Sequence, residues 1–125
     1  QSPIDFDDVM IENNFSGGRA YGQSKLAQIM FTFDLDEELD GTGIMVNSLH
    51  PATYMPTGMV LRAGAQPRAT IDEGADAVMQ LVVSDEIEGG QFFRGLVPAQ
   101  ANAQAYDMQA RASLKALSQE LTGIR

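Results

Sequence analysis

The run Ile44-Met45-Val46-Asn47-Ser48-Leu49 lies between a glycine turn, Gly41 and Gly43, and the pair His50-Pro51. A short, mostly apolar run after such a turn predicts a strand covered on both faces, as in a parallel sheet. Pro51 cannot donate to a ladder, so it ends the strand. Asn47 is polar inside the run and must find hydrogen-bond partners if buried. Ligands of open parallel sheets bind beyond the carboxyl ends of strands, so His50 to Gly58 is expected where a ligand lies.

Helical patterns flank this run. The first helix is predicted from Ser16 or Ala20 to Leu39, with Leu26, Ile29, Met30, Phe33 and Leu39 as its apolar stripe. Asp34, Asp36, Glu37, Glu38 and Asp40 crowd its C-terminal end and oppose the helix dipole, so propensity explains that end poorly. Thr70-Ile71-Asp72-Glu73 is a capping box. It opens a second helix to about Val83, with Ile71, Ala75, Val78, Met79 and Val82 as one apolar face. Gln91-Phe92-Phe93 is a short strand between Gly90 and Gly95. A third helix is expected from about Ala99 to Leu121, lined by Tyr106, Ala110, Leu114, Leu117 and Leu121 and closed by Gly123. The alternation predicts residues 44–50 parallel to the strand carrying Gln91 to Phe93, with helices packed on the sheet. The small and apolar residues Ala101, Ala105, Tyr106 and Leu114 are expected to need another polypeptide against them.

The remaining segments read as loops. Residues 1–18 hold Asp5, Asp7, Asp8 and Glu12 around Ile4, Phe6, Val9 and Met10, with turn formers Asn13-Asn14 and Gly17-Gly18. The acids are expected on a solvated face, not as a metal site. Thr53 to Arg68 carries Met55, Met59, Val60 and Leu61 among Pro56, Gly58, Gly64 and Pro67. That pattern suits an adaptable substrate lid, or a loop with hydrophobes tucked beneath it.

Composition narrows the function classes. A net charge of −9 argues against nucleic acid and anionic membranes, which reward positive charge. The chain has no Cys and one His, so disulfides, thiolate metal sites and a His-rich metal site are excluded. The absence of Cys fits a reducing, cytoplasmic location. No apolar run is long enough to span a bilayer. The start, Gln1-Ser2-Pro3-Ile4-Asp5, has neither Met nor signal-peptide character and reads as a cut inside a longer protein.

Chemistry concentrates in Arg19-Ala20-Tyr21-Gly22-Gln23-Ser24-Lys25-Leu26-Ala27. Tyr21 and Lys25 are four apart, so a helix puts them on one face, one turn from each other. A free phenol, with a pKa of about 10, is a poor acid or base at neutral pH. A nearby ammonium favours the phenolate, which makes the two a proton-transfer pair. Taken alone the spacing is commonplace, usually a solvated surface pair.

The order Ala20-Tyr21-x-x-Ser24-Lys25-Leu26-Ala27, an apolar strand with Asn47, then His50-Pro51, resembles the short-chain dehydrogenase/reductase family. It is most similar to the retinol-dehydrogenase-like branch, over almost the whole chain. The resemblance implies the C-terminal half of a single NAD(P)-binding, Rossmann-like, doubly wound parallel sheet, with its N-terminal dinucleotide-binding half absent. It implies hydride transfer between NAD or NADP and an alcohol or carbonyl substrate. Tyr21 would be the general acid or base, and Lys25 would hold the nicotinamide ribose. Pro51 and Ala52 fall where the family usually has Pro-Gly beside the nicotinamide. The family's threonine five residues past that proline is here Pro56. Thr57 is one further on, and Thr53 is an alternative. His50 is a structural neighbour of the proline.

Two expected parts are missing. No Gly-x-x-x-Gly-x-Gly turn occurs, so the phosphate-binding amides are not in these residues. The catalytic serine is expected upstream of Gln1, because Ser2 has no apolar strand before it. The resemblance implies an oxidoreductase half that is inactive alone, partnered by the missing half or by a second copy in a homo-oligomer. The competing reading is a non-catalytic α/β interaction or assembly module retaining the motif by descent. Apolar residues in the 53–68 loop lean toward a lipophilic alcohol or ketone.

Overall fold

The computed structural model describes residues 1–124. Helix α1 runs Gly17–Glu38, opened by Ser16, whose hydroxyl accepts the Arg19 N–H at 3.3 Å. Leu26, Ile29, Met30 and Phe33 are buried at steps of three and four, as the stripe predicts. They form one core with Ile4, Phe92, Ala105 and Ala110. Burying a side chain of this size is worth about 1.5–3 kcal/mol, so α1 is the centre of the apolar stabilisation.

Tertiary partners account for the acidic end of α1. Arg111 Nε donates to Asp34 Oδ1 at 2.6 Å, and its Nη2 lies 2.9 Å from Glu37 Oε1. Lys115 pairs with Glu38. Asp36 Oδ1 accepts the Val46 N–H at 2.8 Å. A Cβ at Gly89 would lie 2.1 Å from Asp36 Oδ1, so glycine lets that backbone approach the carboxylate.

The sheet has three strands in the order β1-β2-β3. β1 (Ser48–His50) pairs parallel with β2 (Phe92–Arg94), with Ser48 opposite Phe92, Leu49 opposite Phe93 and His50 opposite Arg94. The parallel pairing follows the prediction, and Asn47 finds its partner, accepting the Gln91 N–H at 2.9 Å. β3 (Val97–Pro98) returns antiparallel to β2 through Gly95 and was not foreseen. The architecture is mixed α/β, a partial Rossmann-like fold.

β1 is shorter and less covered than predicted. Ile44 and Met45 are 58% and 55% exposed. Among the described residues β1 pairs with β2 alone, so it is an edge strand and nothing covers its other side.

The segment 53–68 contains a short helix, α2 (Gly58–Arg62). Val60 is buried and Met55 packs on Gly74, whereas Met59 and Leu61 are exposed. Tyr54 sits at φ 51°, and its carbonyl accepts the Arg68 N–H at 3.0 Å, which draws the segment's ends together. Helix α3 (Ile71–Val83) has the full capping box between Thr70 and Glu73. Its predicted apolar face is present but turned outward: Ile71, Val78, Met79 and Val82 are 45–71% exposed, and the buried residues are Gly74 and Ala77. Small residues let this helix sit close to Met55, and the larger ones point outward.

The third predicted helix is two elements. A 3₁₀ turn, Ala103–Tyr106, precedes α4 (Met108–Thr122), which Asp107 caps by accepting from Gln109 and Ala110. Gly123, at φ 69°, closes it. Ala105 is fully buried, Ala101 and Leu114 are partly buried, and the Tyr106 ring lies 5.4 Å from that of Phe33 yet stays 46% exposed. Tyr106 Oη also accepts the Ala101 N–H at 3.0 Å.

Residues 1–16 are irregular, as expected, yet tightly held. Ile4 N–H donates to Gln104 Oε1 at 2.6 Å, and Gln104 Nε2 donates back to Ile4 O at 3.0 Å. Gln23 Nε2 donates to Pro3 O at 2.9 Å. Arg19 pairs with Asp5 and Asp8, so part of the acidic cluster is neutralised.

Candidate active site

A cleft of about 730 Å³ opens at the carboxyl ends of β1 and β2. It is bounded by the solvent face of α1 and by residues 100–102. Open parallel sheets place ligands here, because backbone and loops diverge beyond the strand ends.

Tyr21 and Lys25 both line it, one turn apart on α1. Gly22, Leu26, Ile29 and Met30 fix the buried face of that helix, which turns Tyr21 and Lys25 outward. Tyr21 is 58% exposed. Lys25 Nζ lies 5.5 Å from the Tyr21 ring centroid and donates to Gln28 Oε1 at 3.1 Å. Pro51 lines the same cleft.

The other candidates divide between the cleft and its surroundings. Ala52 follows Pro51 but is not among the lining residues. Thr57 sits at the N-cap of α2, makes no side-chain capping bond there, and is also outside the lining. Thr53, the alternative, does line the cleft, and its Oγ1 is 2.9 Å from His50 Nε2. Ser2 packs on Gly22, where an added Cβ would meet its Oγ at 2.3 Å, and does not line the cleft.

His50 is a further lining residue. Burial first, and then the Arg94 guanidinium, lower its pKa below the ordinary 6.5, favouring neutral imidazole. Arg94, opposite His50 at the end of β2, was not singled out from the sequence. Its signal is its position at the carboxyl end of the Phe92-Phe93 strand. Ser48 also lines the cleft, and its buried Oγ has no hydrogen-bond partner among the described residues.

A second groove, about 540 Å³, runs between α1 and α4 past Phe31, Leu35 and Leu114; Gln28 borders it as well as the first cleft. Among the described residues no helix is long and apolar enough to cross a membrane, and no group of three or more His, Asp or Glu could hold a metal ion.

No protein-family model and no solved structure matches the chain. Curated proteins do. Human retinol dehydrogenase 14 is 30% identical over 97% of this chain and 40% of its own length. Human retinol dehydrogenase 12 is 28% identical over 98% of the chain and 42% of its own length. The WW domain-containing oxidoreductase of Danio rerio is 29% identical over 88% of the chain and 29% of its length. The chain thus spans about 40% of the length of the retinol dehydrogenases it matches. It belongs, as a partial region, to the short-chain dehydrogenase/reductase family, alongside the retinol dehydrogenases.

Proposed function

We propose that this chain is the C-terminal half of an NAD(P)-dependent oxidoreductase acting on an alcohol or carbonyl compound, with Tyr21 as its general acid or base. The observation that carries the reading is the shared cleft: Tyr21, Lys25 and Pro51 meet at the carboxyl end of β1. A general acid must reach the substrate oxygen from solvent-accessible space, and the exposed Tyr21 hydroxyl has that freedom.

The residues fit part of a nicotinamide nucleotide. Lys25 has further ammonium protons for ribose hydroxyls beyond the one given to Gln28. The unpartnered Ser48 hydroxyl and Pro51 offer a polar and an apolar contact on the strand side. Ala52 adjoins them. Of the two threonines, Thr53 lines the cleft, whereas Thr57 stands at the N-cap of α2 outside that lining. The cofactor, when bound, supplies or accepts the hydride. This chain's residues hold the substrate oxygen at Tyr21, move its proton, and keep Lys25 beside the phenol.

The remainder of the domain supplies the pyrophosphate-binding turn. The open edge of β1, with Ile44 and Met45 beside it, and the outward apolar face of α3 support packing by that half. A second copy is the other candidate occupant, in a homo-oligomer. Tyr21→Phe in the full-length protein, assayed for carbonyl reduction, tests the reading.

A further inference from the structure

The chain carries a net charge of −9, yet among the described residues no Asp or Glu lines the cleft that holds Tyr21. Its charged lining side chains are Lys25 and Arg94. Outside the cleft, Arg19 pairs with Asp5 and Asp8, Arg111 with Asp34 and Glu37, and Lys115 with Glu38, while Arg62 and Arg68 stand apart from both the cleft and any carboxylate among the described residues. Among the described residues neither Lys25 nor Arg94 forms an ion pair. Two unpaired cations in one cleft of a strongly acidic chain concentrate positive potential there.

Arg94 stands directly opposite His50 in the parallel pair, at the end of β2. It is exposed, and Gln100 and Asn102 border the same cleft. A guanidinium offers a planar fork of donors that matches a carboxylate or phosphate at two points. Its charge is already felt locally, since it is one cause of the lowered His50 pKa. A neutral His50 donates or accepts but adds no competing positive charge.

We propose that Arg94 is a specificity residue, holding an anionic group, carboxylate or phosphate, of the ligand that lies over Tyr21. This deepens the oxidoreductase reading and rests on it for the ligand's reacting end. Lys25 is one helical turn from the tyrosine and serves the reacting end, whereas Arg94 lies across the cleft on the sheet and serves the far end. The preferred substrate is then amphiphilic: a carbonyl or alcohol at Tyr21 and an anion at Arg94. The same group could belong to the dinucleotide, and the test separates the two sources.

The test uses the full-length protein and two aldehydes of equal chain length, hexanal and 6-oxohexanoate, with dinucleotide titration alongside. Arg94→Gln should lower the kcat/KM ratio of 6-oxohexanoate to hexanal at least ~10-fold, mainly through KM, and Arg94→Lys should restore most of it. If the anion belongs to the cofactor, Arg94→Gln instead weakens dinucleotide binding at least ~10-fold and leaves the ratio unchanged, again with rescue by lysine. A ratio and a dinucleotide affinity both unmoved by Arg94→Gln would overturn the proposal. If neither aldehyde is reduced, the oxidoreductase reading fails for these substrates, and binding decides the Arg94 assignment. Hexanoate and inorganic phosphate are then titrated while the His50 ring is followed by NMR. Binding that Arg94→Gln weakens and Arg94→Lys keeps supports the anion site. No binding, or binding indifferent to Arg94, overturns it.

Discussion

Lys25 holds its ammonium 5.5 Å from the centre of the Tyr21 ring, one helical turn away on α1. That distance is within the range where a cation and an aromatic face attract. The contact therefore orders two side chains that both open onto the cleft. The pairing costs the fold little, because the opposite face of α1 supplies the burial.

The α1–α4 junction depends on Arg111. Its side chain is 6% exposed and serves Asp34 and Glu37 together. Burial disfavours its charge, but hydrogen bonds and attraction from Glu37 and Asp34 outweigh burial and raise its pKa. Arg111→Ala leaves Asp34, largely buried, without its counter-ion. We expect a loss of about 3 kcal/mol in urea unfolding, the scale found when one partner of a buried pair is removed. An unchanged midpoint would remove the pair from the stability account.

Helix α3 begins where Thr70 and Glu73 satisfy each other's backbone donors. Thr70→Ala should cost about 1 kcal/mol in the same assay. Thr70→Ser keeps the acceptor and should cost less. Equal losses in the two variants would show that the hydroxyl is not the stabilising element.

His50 makes stability depend on pH. Its folded pKa lies below the ordinary 6.5, through burial first and then through Arg94. The folded state therefore binds fewer protons than the unfolded state as pH falls through this window. The stabilisation is fully present above 6.5 and is lost on acidification toward the lower folded value. His50→Gln should flatten the stability profile there while leaving the acid limb due to carboxylates. A profile with the same slope in the variant would contradict this.

Much of the fold was legible because local chemistry and tertiary packing agree. The α1 stripe, the Thr70 capping box, Gly123 and the parallel pairing of residues 48–50 with 92–94 all followed from spacing and punctuation. The α3 stripe was legible, but periodicity marks an apolar stripe and not what covers it, and the buried residues of this helix are Gly74 and Ala77. The third helix was drawn too long because Asp107, a capping residue inside an apparently helical stretch, was passed over. In the site, Tyr21, Lys25 and Pro51 converge as the motif suggests, whereas Arg94 carries no motif. Its place in the cleft depends on strand register, which becomes visible once His50 and Arg94 are paired.

The central claim is that Tyr21 moves the proton while Lys25 also holds the cofactor. The direct measurement is carbonyl reduction, with dinucleotide titration, by the full-length protein and its Tyr21→Phe and Lys25→Ala variants. Tyr21→Phe should lower turnover by about 10²-fold or more and leave dinucleotide affinity within about twofold. Lys25→Ala should impair both, and the 125 residues alone should show neither turnover nor tight dinucleotide binding. Turnover unchanged by Tyr21→Phe would remove Tyr21 from the mechanism, and tight dinucleotide binding by the 125 residues would place the cofactor's main contacts in this half after all.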